Sequence, residues 1–230
     1  MIVAIIPARG NSKRIPGKNI KLFSGKPIIG WSIEVALDSK LFDRVIVSTD
    51  DEKIREVAIS YGAECPFVRP ADLSDDFATT TAVMTHAVKW LNDHSYDVSE
   101  ACCIYPTAPL LQLEDLKSAK QLIDSNEWAY VFSATQLPPQ VFRSFKHGDN
   151  GEVEMLFEDY LNTRSQDLPE LYQDAGQFYW GTAEAWLLQK KIFAKDSTIV
   201  KLPAWRVRDI DTHDDWDAAE KIFNQLTDKR

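Results

Sequence analysis

Ile2-Val3-Ala4-Ile5-Ile6-Pro7-Ala8-Arg9-Gly10-Asn11-Ser12-Lys13-Arg14-Ile15-Pro16-Gly17-Lys18-Asn19 is the stretch that decides how this chain folds. Its run Ile2–Ile6 is apolar at every position, the pattern of a short strand buried on both faces. Pro7 ends the run. The loop beyond holds four basic residues and two glycines. Glycines let backbone amides approach a ligand closely, and amides together with Lys and Arg cradle phosphate oxygens. Six residues separate Gly10 from Gly17-Lys18, and Asn19 stands where a Walker A loop has Ser or Thr, so this is a different phosphate loop. No G-x-G-x-x-G is present either, which argues against a dinucleotide cofactor.

Working outward, apolar spacing predicts helices over Lys26–Leu37, Glu52–Tyr61 (closed by Gly62) and Thr80–Leu91, and a further one through Leu113, Leu116, Ala119 and Ile123. Between them, Arg44–Val47, Ala63–Val68, Ala101–Tyr105 and Tyr130–Ala134 read as strands. Such alternation implies right-handed βαβ units and a mostly parallel central sheet flanked by helices. Ligands of such sheets bind beyond the carboxyl ends of the strands. From about 136 to 175 the rhythm breaks, and this segment reads as an inserted arm within a single domain spanning 1–230. Strands are expected again at Phe178–Trp180 and Arg206–Ile210. A last helix carries Trp216, Ala219, Phe223 and Leu226, with Thr212 and Asp215 spaced as a capping box.

Asp209 and Asp211 lie two apart in a segment that reads as extended, where alternate residues share a face. Two carboxylates that close call for a cation, and Mg²⁺ bridging carboxylates to phosphates is one answer. Acids stabilising the N-terminus of the next helix are the other. Asp214 and Asp215 read as helix-start residues.

Composition excludes several classes. The net charge is −9, so no broad basic face for nucleic acid is expected. No apolar run is long enough to span a membrane, and Met1–Gly10 has no basic segment ahead of its apolar stretch, unlike a secretory leader. Three cysteines, two of them adjacent (Cys102, Cys103), suit a reducing cytoplasm and a buried strand. His86, His94, His147 and His213 have no metal-ligand spacing.

The segments IIPARGNSKRIPGKN, Ser48-Thr49-Asp50, Arg69-Pro70-Ala71-Asp72-Leu73, Tyr105-Pro106-Thr107-Ala108-Pro109 and Asp209-Ile210-Asp211 resemble, in order, the signature of the CMP-sialic acid synthetases, or acylneuraminate cytidylyltransferases. The resemblance covers nearly the whole chain. It implies a Rossmann-like nucleotide-diphospho-sugar transferase fold with a small dimerisation insertion, CTP and an acidic nine-carbon sugar as substrates, and Mg²⁺ (or Mn²⁺) as cofactor. By the same resemblance Arg9, Ser12, Lys13 and Lys18 contact the triphosphate, with Lys18 stabilising charge on the α-phosphate. Asn19, Arg69, Ala78 and Thr80 surround cytosine and ribose. Asp209 and Asp211 hold the metal, and Arg9, Lys18 and Asp211 are the candidate catalytic groups.

The family's sialic acid enzymes carry Gln and Arg where this chain has Tyr105 and Leu111. The run Asn162–Pro169 followed by Asp174–Trp180 resembles the pseudaminic acid branch. Tyr105, Thr107, Arg164, Gln177 and Tyr179 are then the candidate sugar contacts, with Arg164 for the sugar carboxylate. Legionaminic acid, N-acetylneuraminic acid and 3-deoxy-manno-octulosonic acid are the alternative sugars. The resemblance also implies a homodimer in which the arm completes the neighbouring sugar site. A nucleotide-sugar sensor on the same fold would be favoured by loss of Lys18 or of the acidic pair, and all three are present. An interaction module built around the arm would leave the basic loop unexplained.

Overall fold

A computed structural model describes residues 1–125 and 127–227. Strand β1 (Ile2–Pro7) is followed by the basic loop, a small hairpin of β2 (Leu22–Phe23) and β3 (Lys26–Pro27), and helix α1 (Ile28–Ser39). Then come β4 (Arg44–Ser48), α2 (Glu52–Ser60), α3 (Thr80–Asp93), β5 (Glu100–Ile104), α4 (Leu113–Ile123) and β6 (Tyr130–Gln136). The arm contains the hairpin β7 (Phe145–His147) and β8 (Val153–Met155). The chain returns through β9 (Tyr172–Thr182), α5 (Ala183–Leu187) and β10 (Ser197–Leu202), and closes with α6 (His213–Thr227).

The main sheet runs β10-β6-β9-β5-β1-β4. All its pairings are parallel except those of β9, which lies antiparallel to both β5 and β6. The expected α/β class therefore holds. Val3, Ala4, Ile5 and Ile6 are fully buried, with Ala4 and Ile6 on one side of the sheet and Val3 and Ile5 on the other. Each large side chain buried this way contributes about 1.5–3 kcal/mol.

Several expectations are corrected. Lys26 and Pro27 belong to β3, and α1 starts at Ile28. Ala63–Val68 forms a single bridge, Ile46 to Glu64, and Pro66 has no amide with which to extend the ladder. Arg206–Ile210 is no strand: a 3-10 turn over Ala204–Arg206 leads into irregular chain. The edge strand is Ser197–Leu202 instead. Tyr172–Ala175, counted with the arm from sequence, already belongs to β9.

Two devices aim the chain toward the carboxyl ends of β1, β5 and β6. The β6/β9 register shifts at Ser133, whose buried hydroxyl accepts from the amides of Gln177 (3.2 Å) and Phe178 (3.3 Å). Such a bulge bends its strand and re-aims nearby side chains. The second is Arg206, buried against the start of α4. Its guanidinium donates to Asp115 at 2.5 and 2.8 Å and to the Leu110 carbonyl at 3.1 Å. That pair fixes the turn from which Asp209 and Asp211 project. Removing one partner of a buried pair strands the other's charge, so Arg206→Met is expected to cost about 3–5 kcal/mol in urea unfolding. Arg206→Met with Asp115→Leu should recover much of that loss, and a single-variant loss below about 1 kcal/mol would contradict the assignment.

Candidate active site

The basic loop is shaped by its own backbone and by Ser48-Thr49-Asp50. The Ala8 amide donates to the Ser48 carbonyl at 2.9 Å, and the Gly10 amide to Asp50 Oδ1 at 3.0 Å. A side chain at position 10 would come within 2.7 Å of the Asp51 carboxylate, so only glycine fits there. Gly17 adopts φ 64°, a left-handed turn that brings Lys18 back toward the sheet. Buried Asn19 donates from Nδ2 to the Arg9 carbonyl at 2.9 Å and closes the loop. Asp51 caps α2 by accepting from the Ile54 amide at 3.0 Å. Thr79 caps α3 by accepting from Ala82 at 3.1 Å, which presents Thr80 to the cleft.

The cleft is a cavity of about 380 Å³. Every candidate nucleotide residue lines it: Arg9, Ser12, Lys13, Lys18, Asn19, Arg69, Ala78 and Thr80. Arg14, Asp76, Tyr105, Thr107, Asp209 and Asp211 also line it. The acidic pair thus meets the basic loop across nearly two hundred residues of sequence, without the strand geometry expected for it. Lys18 is largely buried; its Nζ donates to the Ile210 carbonyl at 2.6 Å and lies 3.5 Å from Asp211. Arg14 reaches the other Asp211 oxygen at 2.6 Å. Arg69 is buried and lies 3.5 Å from Asp50; burial first pulls its basicity down, and the Asp50 charge opposes this.

Asp75 and Asp76 carry no motif, and sequence reasoning gives them no role. Asp76 accepts from Arg9 at 2.7 Å and Lys13 at 2.5 Å, while Arg9 also donates to the Asp75 carbonyl at 2.9 Å. Hydrogen bonds from Lys13 and then Arg9 hold the Asp76 carboxyl below its ordinary range. Asp75 Oδ1 accepts from the amides of Phe77 and Ala78, both at 2.8 Å, which fixes the turn carrying Asp76. No local spacing could have announced this contact, since Asp76 lies 67 positions from Arg9.

A second cavity, about 450 Å³, shares Tyr105 and Asp209 with the first. Asp174, Gly176, Tyr179, Arg208 and Asp215 also line it. Tyr105 donates or accepts at Thr80 Oγ1 (3.0 Å), and the Tyr179 hydroxyl donates to Asp174. Burial first, with the Asp174 charge adding to it, raises both phenols, so they stay neutral. Of the five candidate sugar contacts, Tyr105 lines both cavities, Tyr179 the second and Thr107 the first. The other two line neither. Gln177 is buried and lines neither cavity; its amide donates to the Arg206 carbonyl at 3.2 Å. Arg164 is bound to Asp167 on the arm at 2.7 Å and lines neither cavity of its own chain.

The Asp209 carboxyl is raised first by burial and then by the charge of Asp211, while Lys18 and Arg14 oppose the rise. No group of three or more His, Cys, Asp or Glu side chains able to hold an ion occurs among the described residues. A divalent cation at this pair would need further oxygens from a ligand, which suits Mg²⁺ held between one or two carboxylates and substrate phosphates.

As expected from the capping box, the Asp215 carboxylate accepts from the Thr212 amide (2.9 Å), and the Thr212 hydroxyl accepts from the Asp215 amide (3.2 Å). No helix among the described residues is long and apolar enough to cross a membrane. Because Asp76 competes for Arg9 and Lys13, Asp76→Asn should bind inorganic tripolyphosphate up to about fivefold tighter than the parent at low salt. Calorimetry giving weaker binding would mean that Asp76 supports the anion site instead of competing with it.

The pattern of a family described as cytidylyltransferase matches residues 3–226. The pseudaminic acid cytidylyltransferase of Campylobacter jejuni subsp. jejuni serotype O:2 is 46% identical over 221 residues, covering 96% of this chain and 95% of that protein. The CMP-N,N'-diacetyllegionaminic acid synthase of Legionella pneumophila is 34% identical over 228 residues, covering 96% of each chain. A solved CMP:2-keto-3-deoxy-manno-octonic acid synthetase complexed with CTP shares the fold, with TM-score 0.70 at 16% identity, over 100% of this chain and 99% of that one. With the match running through both the basic loop and the acidic pair, this chain belongs to the cytidylyltransferase family.

Proposed function

We propose that this protein transfers CMP from CTP to the anomeric hydroxyl of a nine-carbon 2-keto acid sugar, pseudaminic acid, releasing pyrophosphate. The observation that carries the reading is the meeting of five cationic side chains and the Asp209–Asp211 pair in one cavity that opens, through Tyr105 and Asp209, on a second. The relatives that are 46% and 45% identical over 96% of the chain bear the name of that activity.

In this reading the sugar hydroxyl attacks the α-phosphorus, the bond to the pyrophosphate oxygen breaks, and the hydroxyl proton passes to Asp211. Arg9, Ser12, Lys13 and Lys18 hold the triphosphate. Lys18 faces the charge that grows on the α-phosphate. Asn19, Arg69, Ala78 and Thr80 bound the nucleoside, and Tyr105, Thr107 and Tyr179 the sugar. Asp209 and Asp211 would hold Mg²⁺, which would supply charge neutralisation to the phosphates. Two neutral phenols suit a sugar less hydroxylated than N-acetylneuraminic acid.

The work is done by a single domain with its arm. Phe145, Val153, Leu156 and Leu161 are all exposed on that arm, and a second copy is the partner we assign to them. A monomer in sedimentation at micromolar concentration would remove this part of the reading. The protein acts in the cytoplasm, where its three unpaired, buried cysteines stay reduced.

Pyrophosphate release with CTP, Mg²⁺ and pseudaminic acid tests the whole reading. Turnover should stop with EDTA, and should fall by about 10²–10³-fold in Lys18→Met, the range for losing one transition-state charge contact. Turnover with N-acetylneuraminic acid alone would keep the reaction and reject the sugar. Silence on every acidic sugar would favour a sensor.

A further inference from the structure

A 2-keto acid sugar carries its carboxylate and its reacting hydroxyl on the same carbon. Whatever binds the carboxylate must therefore reach the space immediately beside the reacting centre, next to Asp209 and Asp211. Arg164 does not do so within its own chain. It stands on the arm with 74% of its side chain exposed, paired with Asp167. Lys18 and Arg14 are close enough, but both face the nucleotide cavity and are bound to Asp211.

Arg208 directly precedes Asp209 and lines the second cavity with it. The other charged side chains there are Asp174, Asp209 and Asp215, all carboxylates that repel an anion. Arg208 is the one cation among the described residues lining this space. Its side chain forms no ion pair within 4 Å among the described residues, although its charge acts on the nearby Asp215 carboxylate. Its planar fork matches a carboxylate with two parallel hydrogen bonds, which fixes orientation as well as position. The opposite wall supplies the complementary surface. Asp174 takes the Tyr179 hydroxyl proton in a hydrogen bond and leaves the phenol oxygen as an acceptor. That wall selects hydroxyl and amide N–H donors, so it cannot take the acid end of the sugar.

We propose that Arg208 binds the carboxylate of the sugar acid and thereby turns its geminal hydroxyl toward the α-phosphate. This rests on the CMP-transfer reading and adds a specificity-determining residue to it. Arg208 lies one residue before an acidic pair that draws attention to itself, and from sequence it reads as an ordinary exposed arginine.

The test uses the full chain with Arg208→Gln, Arg208→Lys and, separately, Arg164→Gln. Steady-state kinetics are measured with CTP, Mg²⁺ and either pseudaminic acid or its carboxamide, in which the acid is neutralised. Arg208→Gln should raise KM for the acid by about 10- to 100-fold, the range of a charge-assisted hydrogen bond, and leave KM for CTP within about twofold. Arg208→Lys should regain part of the loss, because it keeps the charge and loses the fork. The carboxamide should be a poor substrate of the parent enzyme and no worse for Arg208→Gln, since the lost contact is the same one. Parent turnover in this series reports on CMP transfer itself, and the ratio of variant to parent reports on Arg208. An Arg208→Gln enzyme with an unchanged KM for the acid would overturn the proposal. So would a carboxamide penalty that survives in Arg208→Gln and disappears in Arg164→Gln, which would give the carboxylate to the arm of a neighbouring subunit.

Discussion

Everything in this molecule depends on keeping four cations crowded at the carboxyl end of one strand. Arg9, Lys13, Arg14 and Lys18 cannot share that loop without counter-charge. The fold supplies it from two distant places. Asp76 neutralises Arg9 and Lys13, and Asp211 neutralises Arg14 and Lys18. In the proposed reaction the triphosphate of CTP would take the place of these carboxylates, so binding would exchange carboxylate for phosphate. Under the proposed function Asp211, released from its cations, would then be available to a metal beside Asp209.

The fold exists around that exchange. Parallel pairing of β1 with β4 and β5 puts the basic loop at one edge of the sheet's carboxyl side. Antiparallel β9 then enters between β5 and β6 and delivers Asp174 and Tyr179 to the same side, which an all-parallel sheet would not do. The buried Arg206–Asp115 pair ties the segment before the acidic residues to α4. Stability and chemistry meet there: the pair that holds the turn also sets where Arg208, Asp209 and Asp211 project.

What the sequence makes legible is local or strongly patterned. Ile2–Ile6 is apolar throughout and ends in Gly, Pro and charge, so both strand and phosphate loop can be read. The Thr212–Asp215 cap is readable because its bonds span three residues. Non-local facts are not readable. Ser197–Leu202 is an edge strand whose exposed positions are polar, so its period is faint. Trp205–Arg208 alternates like a strand, yet Arg206 is buried by a carboxylate 91 positions away. Gln177 sits inside the run Asp174–Trp180 that reads from sequence as part of a sugar site, and it is turned into the core beside the Ser133 bulge. Asp76 and Arg208 acquire meaning only when the chain folds them beside groups far from their neighbours.

The central proposal is that Asp209 and Asp211 would hold one cation where the two cavities that share Tyr105 and Asp209 meet. Anomalous diffraction from Mn²⁺ in crystals grown with an unreactive CTP analogue and pseudaminic acid tests it most directly. The account predicts a single manganese peak between the two carboxylates and a phosphate oxygen, with the sugar in the cavity bounded by Tyr105, Asp174 and Arg208. Manganese bound away from Asp209 and Asp211, or a sugar outside that cavity, would contradict it.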